Sequence, residues 1–136
     1  MKINVIILAG GIGARMQSNK PKQFIEIDGV PIIAHTIRNF QINDNVTNIT
    51  VVCIEKYLSE MREIVARYGL TKVNRIVPGG TTGHDSTRNG VFSLEKDLSD
   101  DDFVIIHDAV RPLLPQKIIN SMIEVAKKHG NACLAV

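Results

Sequence analysis

Three short loops hold the residue types that could do chemistry. The first runs Gly10-Gly11-Ile12-Gly13-Ala14-Arg15-Met16 and continues to Pro21-Lys22-Gln23, directly after an apolar run. Its glycines free the backbone to turn sharply and to present N–H groups with no side chain in the way. Arg15 adds a planar fork of donors and Lys22 a compact ammonium. Donors and two fixed cations at a strand end make a place to hold a triphosphate, and so point to chemistry on a nucleotide. The loop is not a dinucleotide fingerprint, because Met16 stands where a third glycine is required and the chain stays polar through Lys20 and Pro21. It is not a Walker A loop, because no Gly-Lys-Ser/Thr follows. A bare glycine cluster also reads as a tight turn; Arg15 and the Pro21-Lys22-Gln23 segment are what make the pattern specific.

The second loop is Pro78-Gly79-Gly80-Thr81-Thr82-Gly83-His84-Asp85-Ser86. Gly79 and Gly80 allow close approach of a base or ribose. Ser86 can exchange a hydrogen bond with a ligand or cap a helix, and the two roles are compatible. The third is His107-Asp108-Ala109-Val110-Arg111-Pro112. Asp108 at a strand end suits a Mg2+ that also touches phosphate oxygens. Arg111 can grip a second phosphate with two donors. The plainer alternative is an Asp–Arg pair that holds a turn.

Strand-like and helix-like patterns alternate and position these loops. Strands are expected at 4–8, 48–54, 73–77, 103–107 and 132–136. Helices are expected at 31–41, at 56–68 with Gly69 as its stop, from a cap at Asp85 or Ser86 to about Leu98, and at 116–129 with Gly130 as its stop. The alternation argues for an α/β fold: a Rossmann-like three-layer α/β/α sandwich around a mostly parallel sheet. All three loops follow strands, so they should converge on one crevice at the carboxyl ends of the sheet.

Composition narrows the class. The chain has 136 residues, 44% hydrophobic and 22% charged, which suits one soluble domain. Aromatics make up only 4%, so the core must be aliphatic. A net charge of +2, from 16 basic and 14 acidic residues, is too balanced for a dedicated nucleic-acid binder. No run approaches the ~18 apolar residues of a membrane span. Only Lys2 precedes the first apolar run, which leads into Gly10-Gly11 and not into a cleavage site, so no signal peptide is expected. Cys53 and Cys133 both sit in apolar runs and are expected to be buried, reduced thiols of a cytoplasmic protein. The apolar run at 132–136 ends the chain, and the expectation is a single nucleotide-binding domain over 1–136, cut short at its C-terminal end.

Read together, Gly-Gly-x-Gly-x-Arg-Met…Pro-Lys-Gln, the Gly79-Gly80…Asp85-Ser86 loop and His-Asp-Ala-x-Arg-Pro resemble the family of 2-C-methyl-D-erythritol 4-phosphate cytidylyltransferase and ribitol-5-phosphate cytidylyltransferase. The order and spacing agree along the whole chain. The resemblance implies a fold of the nucleotide-diphospho-sugar transferase type and transfer of CMP from CTP to a polyol phosphate. By it, Arg15 and Lys22 would be catalytic, stabilising the triphosphate and the charge that develops in transfer. Ala9, Gly10, Gly80 and Ser86 would surround cytosine, within a nucleotide set that also takes in Leu8, Gly11, Gly13, Thr81 and Ala109. Asp108 would meet ribose or Mg2+, and Arg111 would serve the polyol phosphate. A homodimer is implied for the full-length form. The family usually carries Arg where this chain has Gly83, and Arg88 is the candidate substitute. Two rivals stand beside this reading. One is a nucleotidyltransferase of other base specificity, such as a guanylyltransferase of the molybdenum-cofactor type, against which His107-Asp108-Ala109-Val110-Arg111-Pro112 argues. The other is a nucleotide-binding module without turnover.

Overall fold

All but one of the residues Ile3–Ala9 are buried, so the first strand, β1, must be covered on both faces and flanked on both edges. In the computed structural model, which describes residues 1–10 and 20–135, it is. β1 pairs in parallel with β4 (Asn48–Cys53) on one side and β6 (Phe103–Asp108) on the other, and β5 (Val73–Pro78) completes the order β5-β4-β1-β6. A small antiparallel hairpin, β2 (Glu26–Ile27) and β3 (Val30–Pro31), turns through Asp28 and Gly29, both at positive φ. The helices are α1 (Ile32–Gln41), α2 (Leu58–Arg67), α3 (Gly83–Ser93) and α4 (Gln116–His129).

Alternation along the strands sorts the layers. Ile3, Val5, Ile7 and Ala9 of β1 and Ile49, Val51 and Cys53 of β4 face the main core. That core takes Ile33, Ile37 and Phe40 from α1, Met61 and Ile64 from α2, and Ile119 and Ile123 from α4. Ile6 and Val52 point to the other face and meet Leu94, with Val91 of α3 packed beside them. The chain runs outward from β1 to β4 and β5 with α1 and α2 on one face. It then reverses, crosses by α3 on the opposite face, and pairs β6 with the far edge of β1. That placement is what right-handed crossovers demand. It also creates the switch point between β1 and β6 where parallel sheets bind ligands.

The sequence reading holds for the layers and differs in detail. The helix expected to start at Asp85 or Ser86 starts at Gly83, because Thr82 caps it by accepting the Asp85 N–H at 3.0 Å. It ends at Ser93 and not near Leu98, since the Leu94 N–H turns to the Val91 carbonyl and tightens the last turn. The helix expected over 56–68 opens as a single 3₁₀ turn, Glu55–Tyr57, before α2. Residues 132–135 form no strand. They have no ladder partner, and an apolar run becomes a strand only by pairing. Cys133 is accordingly exposed, whereas Cys53 is buried as expected. Gly130 ends α4 at φ 87°. Among the described residues, no helix is long and apolar enough to cross a membrane.

Candidate functional site

The three loops meet at the carboxyl ends of β1 and β6, around a cleft of ≈ 590 Å³. A buried polar side chain holds the backbone at Ala9, at Gly80 and at Ala109. The first loop leaves β1 at Ala9, whose carbonyl accepts a 2.8 Å hydrogen bond from Gln23 Nε2. Gln23 is 2% exposed and sits in the 3₁₀ turn Lys22–Phe24 beside Lys22, which is half-buried and lines the cleft.

The second loop folds back over the end of β4. The Gly79 N–H donates to the Cys53 carbonyl at 2.8 Å. The Gly80 N–H donates to Ser86 Oγ at 3.1 Å. Ser86 lies in the first turns of α3, buried, and its hydroxyl also abuts the first loop: a Cβ placed on Gly10 would stand 3.0 Å from Ser86 Oγ. A Cβ on Gly80 would overlap the Asp85 side chain, so only glycine permits this approach. Ser86 is therefore a junction between two loops and not the helix cap; Thr82 has that role. Gly90, one turn further along α3, packs directly on the sheet. A Cβ there would come within 2.9 Å of the Ile6 and Val52 methyls.

The third loop prolongs the β1–β6 ladder through the Ala109 N–H to the Leu8 carbonyl at 3.0 Å. Two side chains of α1 hold it from beneath. Thr36 Oγ1 donates to the Ala109 carbonyl at 2.6 Å, and Asn39 Nδ2 to the Pro112 carbonyl at 2.7 Å. Asp108 accepts the Val110 N–H with Oδ1 at 3.0 Å; its other oxygen takes no hydrogen bond among the described residues.

The cleft thus brings together Leu8, Ala9, Gly10, Lys22, Gly80, Thr81, Ser86, Asp108 and Ala109 of the expected set. Gly11, Gly13 and Arg15 lie outside the described residues. Arg111 does not line the cleft; it borders an adjoining groove along β6, which shares Asp108. Nor does Arg88 line it. Its guanidinium turns to Asp85 Oδ1 at 3.3 Å, so it does not occupy the space left open at Gly83. The sequence reading missed the anchoring roles of Gln23, Thr36 and Asn39. The spacing of Ser86 and Gly90, four apart on one helix face, was a usable signal for the close packing of α3.

Two titratable groups near the loops are shifted from their ordinary values. Asp85 is held below the usual carboxylate range, first by hydrogen bonds from Thr81 and Thr82 and then by Arg88. Its charge is thereby spent on ordering the loop. Burial pushes the Cys53 thiol up to about 11, against a smaller opposing effect of Arg62, so it is no nucleophile at neutral pH. Among the described residues, no group of three or more His, Cys, Asp or Glu could hold a metal by itself. Asp108 is the carboxylate among the described residues lining the cleft. One carboxylate plus substrate phosphates is a usual way to bind Mg2+.

Comparisons with known proteins agree with this geometry. Residues 3–136 match the family model described as 2-C-methyl-D-erythritol 4-phosphate cytidylyltransferase. A ribitol-5-phosphate cytidylyltransferase of Vibrio parahaemolyticus is 43% identical over 128 residues, covering 93% of this chain and 54% of the relative. A 2-C-methyl-D-erythritol 4-phosphate cytidylyltransferase of Halalkalibacterium halodurans is 43% identical over 136 residues, covering all of this chain and 58% of the relative. The crystal structure of the 2-C-methyl-D-erythritol 4-phosphate cytidylyltransferase of Francisella tularensis superposes with a TM-score of 0.71 at 28% identity, over 93% of this chain and 52% of that one. The chain spans about half the length of the curated relatives it matches.

Proposed function

Since the chain belongs to the 2-C-methyl-D-erythritol 4-phosphate cytidylyltransferase family, we propose that its cleft binds CTP for transfer of CMP to a polyol phosphate. The observation that carries the reading is the convergence of three loops, distant in sequence, on one cleft at the sheet's switch point. Cleft size, with Lys22 and three glycines in its lining, suits a nucleoside triphosphate. An oxygen of the polyol phosphate attacks the α-phosphorus, the new O–P bond forms, and the bond to the bridging oxygen breaks to release pyrophosphate. Lys22 neutralises charge on the phosphates, with Arg15 as its partner by sequence position. Loss of one such group costs roughly 10²–10³ in turnover. The backbone at Ala9, Gly10 and Gly80, with Ser86, holds the base. A Mg2+ would be held by Asp108 together with phosphate oxygens, and when bound it supplies charge neutralisation at the triphosphate. Arg111, lining the adjoining groove that shares Asp108 with the cleft, would serve the acceptor phosphate. The acceptor in this reading is ribitol 5-phosphate or 2-C-methyl-D-erythritol 4-phosphate, since relatives named for each are 43% identical to this chain. A homodimer of the full-length protein and a cytoplasmic setting belong to the same reading, the latter suited by two unpaired cysteines.

The test is thermal unfolding with each of four nucleoside triphosphates and Mg2+, followed by pyrophosphate release with each acceptor. A ligand at about 100 times its Kd stabilises by roughly 2.7 kcal/mol, so preference is readily seen. CTP should stabilise most. Equal shifts from ATP, GTP, UTP and CTP would remove the base assignment. CTP binding with no pyrophosphate release from either acceptor would favour a binding module.

A further inference from the structure

We propose that Gln23 is a positioning residue for the phosphate end of the cleft: it locks the turn that carries Lys22 onto the last residue of β1. The inference rests on the CTP reading above and adds to it a residue that touches no ligand. Gln23 is long, polar and 2% exposed, which is costly unless its amide is satisfied. Its Nε2 donates to the Ala9 carbonyl at 2.8 Å, across 14 positions of sequence. Ala9 ends β1, so this bond ties the turn that carries Lys22 to the end of that strand. Lys22 and Gln23 share a single 3₁₀ turn, closed by the Phe24 N–H to the Pro21 carbonyl and the Ile25 N–H to the Lys22 carbonyl. A turn that short cannot rotate at one residue and hold still at the next. Phe24, buried and 5.2 Å from the Tyr57 ring, anchors the segment to the core. Phe24 fixes where the segment sits; Gln23 fixes how Lys22 stands relative to Ala9 and Gly10. A cation meant for phosphate must hold that relation, because a misplacement of about 1 Å can cost 10²-fold.

The experiment is a double-mutant cycle on the full chain, with Gln23→Met, Lys22→Ala and both together. Methionine keeps length and approximate volume and removes the donor. Affinities are measured calorimetrically for CTP and for pyrophosphate, and for cytidine by competition. Gln23→Met should lower CTP and pyrophosphate affinity about tenfold and leave cytidine within about twofold, because Ala9 stays paired with Cys53 in the β1–β4 ladder while the turn that carries Lys22 loses its register. In the Lys22→Ala background the same change should cost less than about twofold, the non-additivity expected of residues that act as one unit. If Gln23→Met does not fold, Gln23→Asn keeps the donor but draws the turn inward by one methylene, and should show the same loss confined to phosphate-bearing ligands. Equal losses in both backgrounds, or equal losses for cytidine and pyrophosphate, would overturn the proposal while leaving CTP binding standing. A wild-type chain that binds neither CTP nor pyrophosphate would overturn both.

Discussion

Gly90 is the position where one methyl group should reach the site through the fold. It lies in α3 over the sheet, and a Cβ built there comes to 2.9 Å from Ile6 Cγ2 and from Val52 Cγ2. Both partners are β-branched and fully buried in adjacent central strands, so neither can swing aside. Carbon atoms prefer about 3.5–4.0 Å, so α3 must lift by roughly 0.6–1 Å. Ser86, one turn earlier on the same face, lifts with it. Its 3.1 Å bond to the Gly80 N–H then passes the length at which hydrogen bonds count. Overpacking costs about 1–3 kcal/mol. The lost bond adds about 0.5–1.5 kcal/mol. Better helix propensity of alanine returns about 1 kcal/mol. Gly90→Ala should therefore destabilise by roughly 0.5–3.5 kcal/mol, or about 2–12 °C in Tm for a domain of this size. CTP affinity should fall about tenfold, since the loop meant for the base loses its anchor. Calorimetric unfolding and titration measure both. An alanine variant at least as stable as the parent, with undiminished CTP affinity, would refute the packing argument.

Three further outcomes are expected. Asp108→Asn should keep the fold, because asparagine can still accept the Val110 N–H, yet lower CTP affinity in Mg2+ far more than in its absence; an unchanged Mg2+ dependence would make Asp108 a turn residue only. Gly83→Arg should raise CTP affinity severalfold, since a Cβ at Gly83 meets nothing within 4 Å, Gly83 lines the cleft, and no other guanidinium among the described residues lines it; titration with CTP and pyrophosphate checks it. A thiol reagent at pH 7–8 should modify Cys133 quickly and Cys53 only on unfolding, because Cys133 is exposed while the Cys53 thiol is buried and titrates near 11. Peptide mapping after timed labelling gives the two rates.

What the sequence made legible, and what it did not, divides by the range of the interactions. Apolar runs closed by glycine or a polar residue marked β1, β4, β5 and β6 within about a residue; β1 and β4, buried almost throughout, tolerate few polar positions, and β5 and β6, only partly buried, still carry apolar runs between their breaks. The crevice followed from strand ends, since parallel strands present all their following loops on one side. The start of α3 was misplaced because Thr81, Thr82, Asp85 and Ser86 are all competent caps, and Thr82 alone accepts the Asp85 N–H. The β2–β3 hairpin was overlooked although Asp28-Gly29 carried its signal, two residues apt for positive φ between short extended segments. The run at 132–136 resembled a strand because β-propensity reports fit to a sheet, and the described part of that run has no partner. Gln23, Thr36 and Asn39 were beyond reach. Each donates to a backbone carbonyl 14 or 73 positions away, a contact that no local spacing encodes.

Those unforeseen contacts share a logic that bears on the proposed reaction. Gln23 donates to the Ala9 carbonyl at the end of β1, Ser86 accepts the Gly80 N–H of the second loop, and Thr36 donates to the Ala109 carbonyl of the third. All three side chains are buried at 4% exposure or less, and all three bind backbone. A buried polar group that loses its partner forfeits about 1–3 kcal/mol, so each clamp resists opening. Backbone fixed in this way does not have to be ordered by the ligand. In the proposed reaction, binding energy that would otherwise be spent on arranging the cleft would remain for holding a triphosphate in line for attack. For phosphoryl transfer without a protein nucleophile, preorganised donors and charges are the main means of catalysis. The clamps are therefore expected to matter more to turnover than their distance from the reacting phosphorus suggests, and most where they fix the stance of a charged group, as Gln23 does for Lys22.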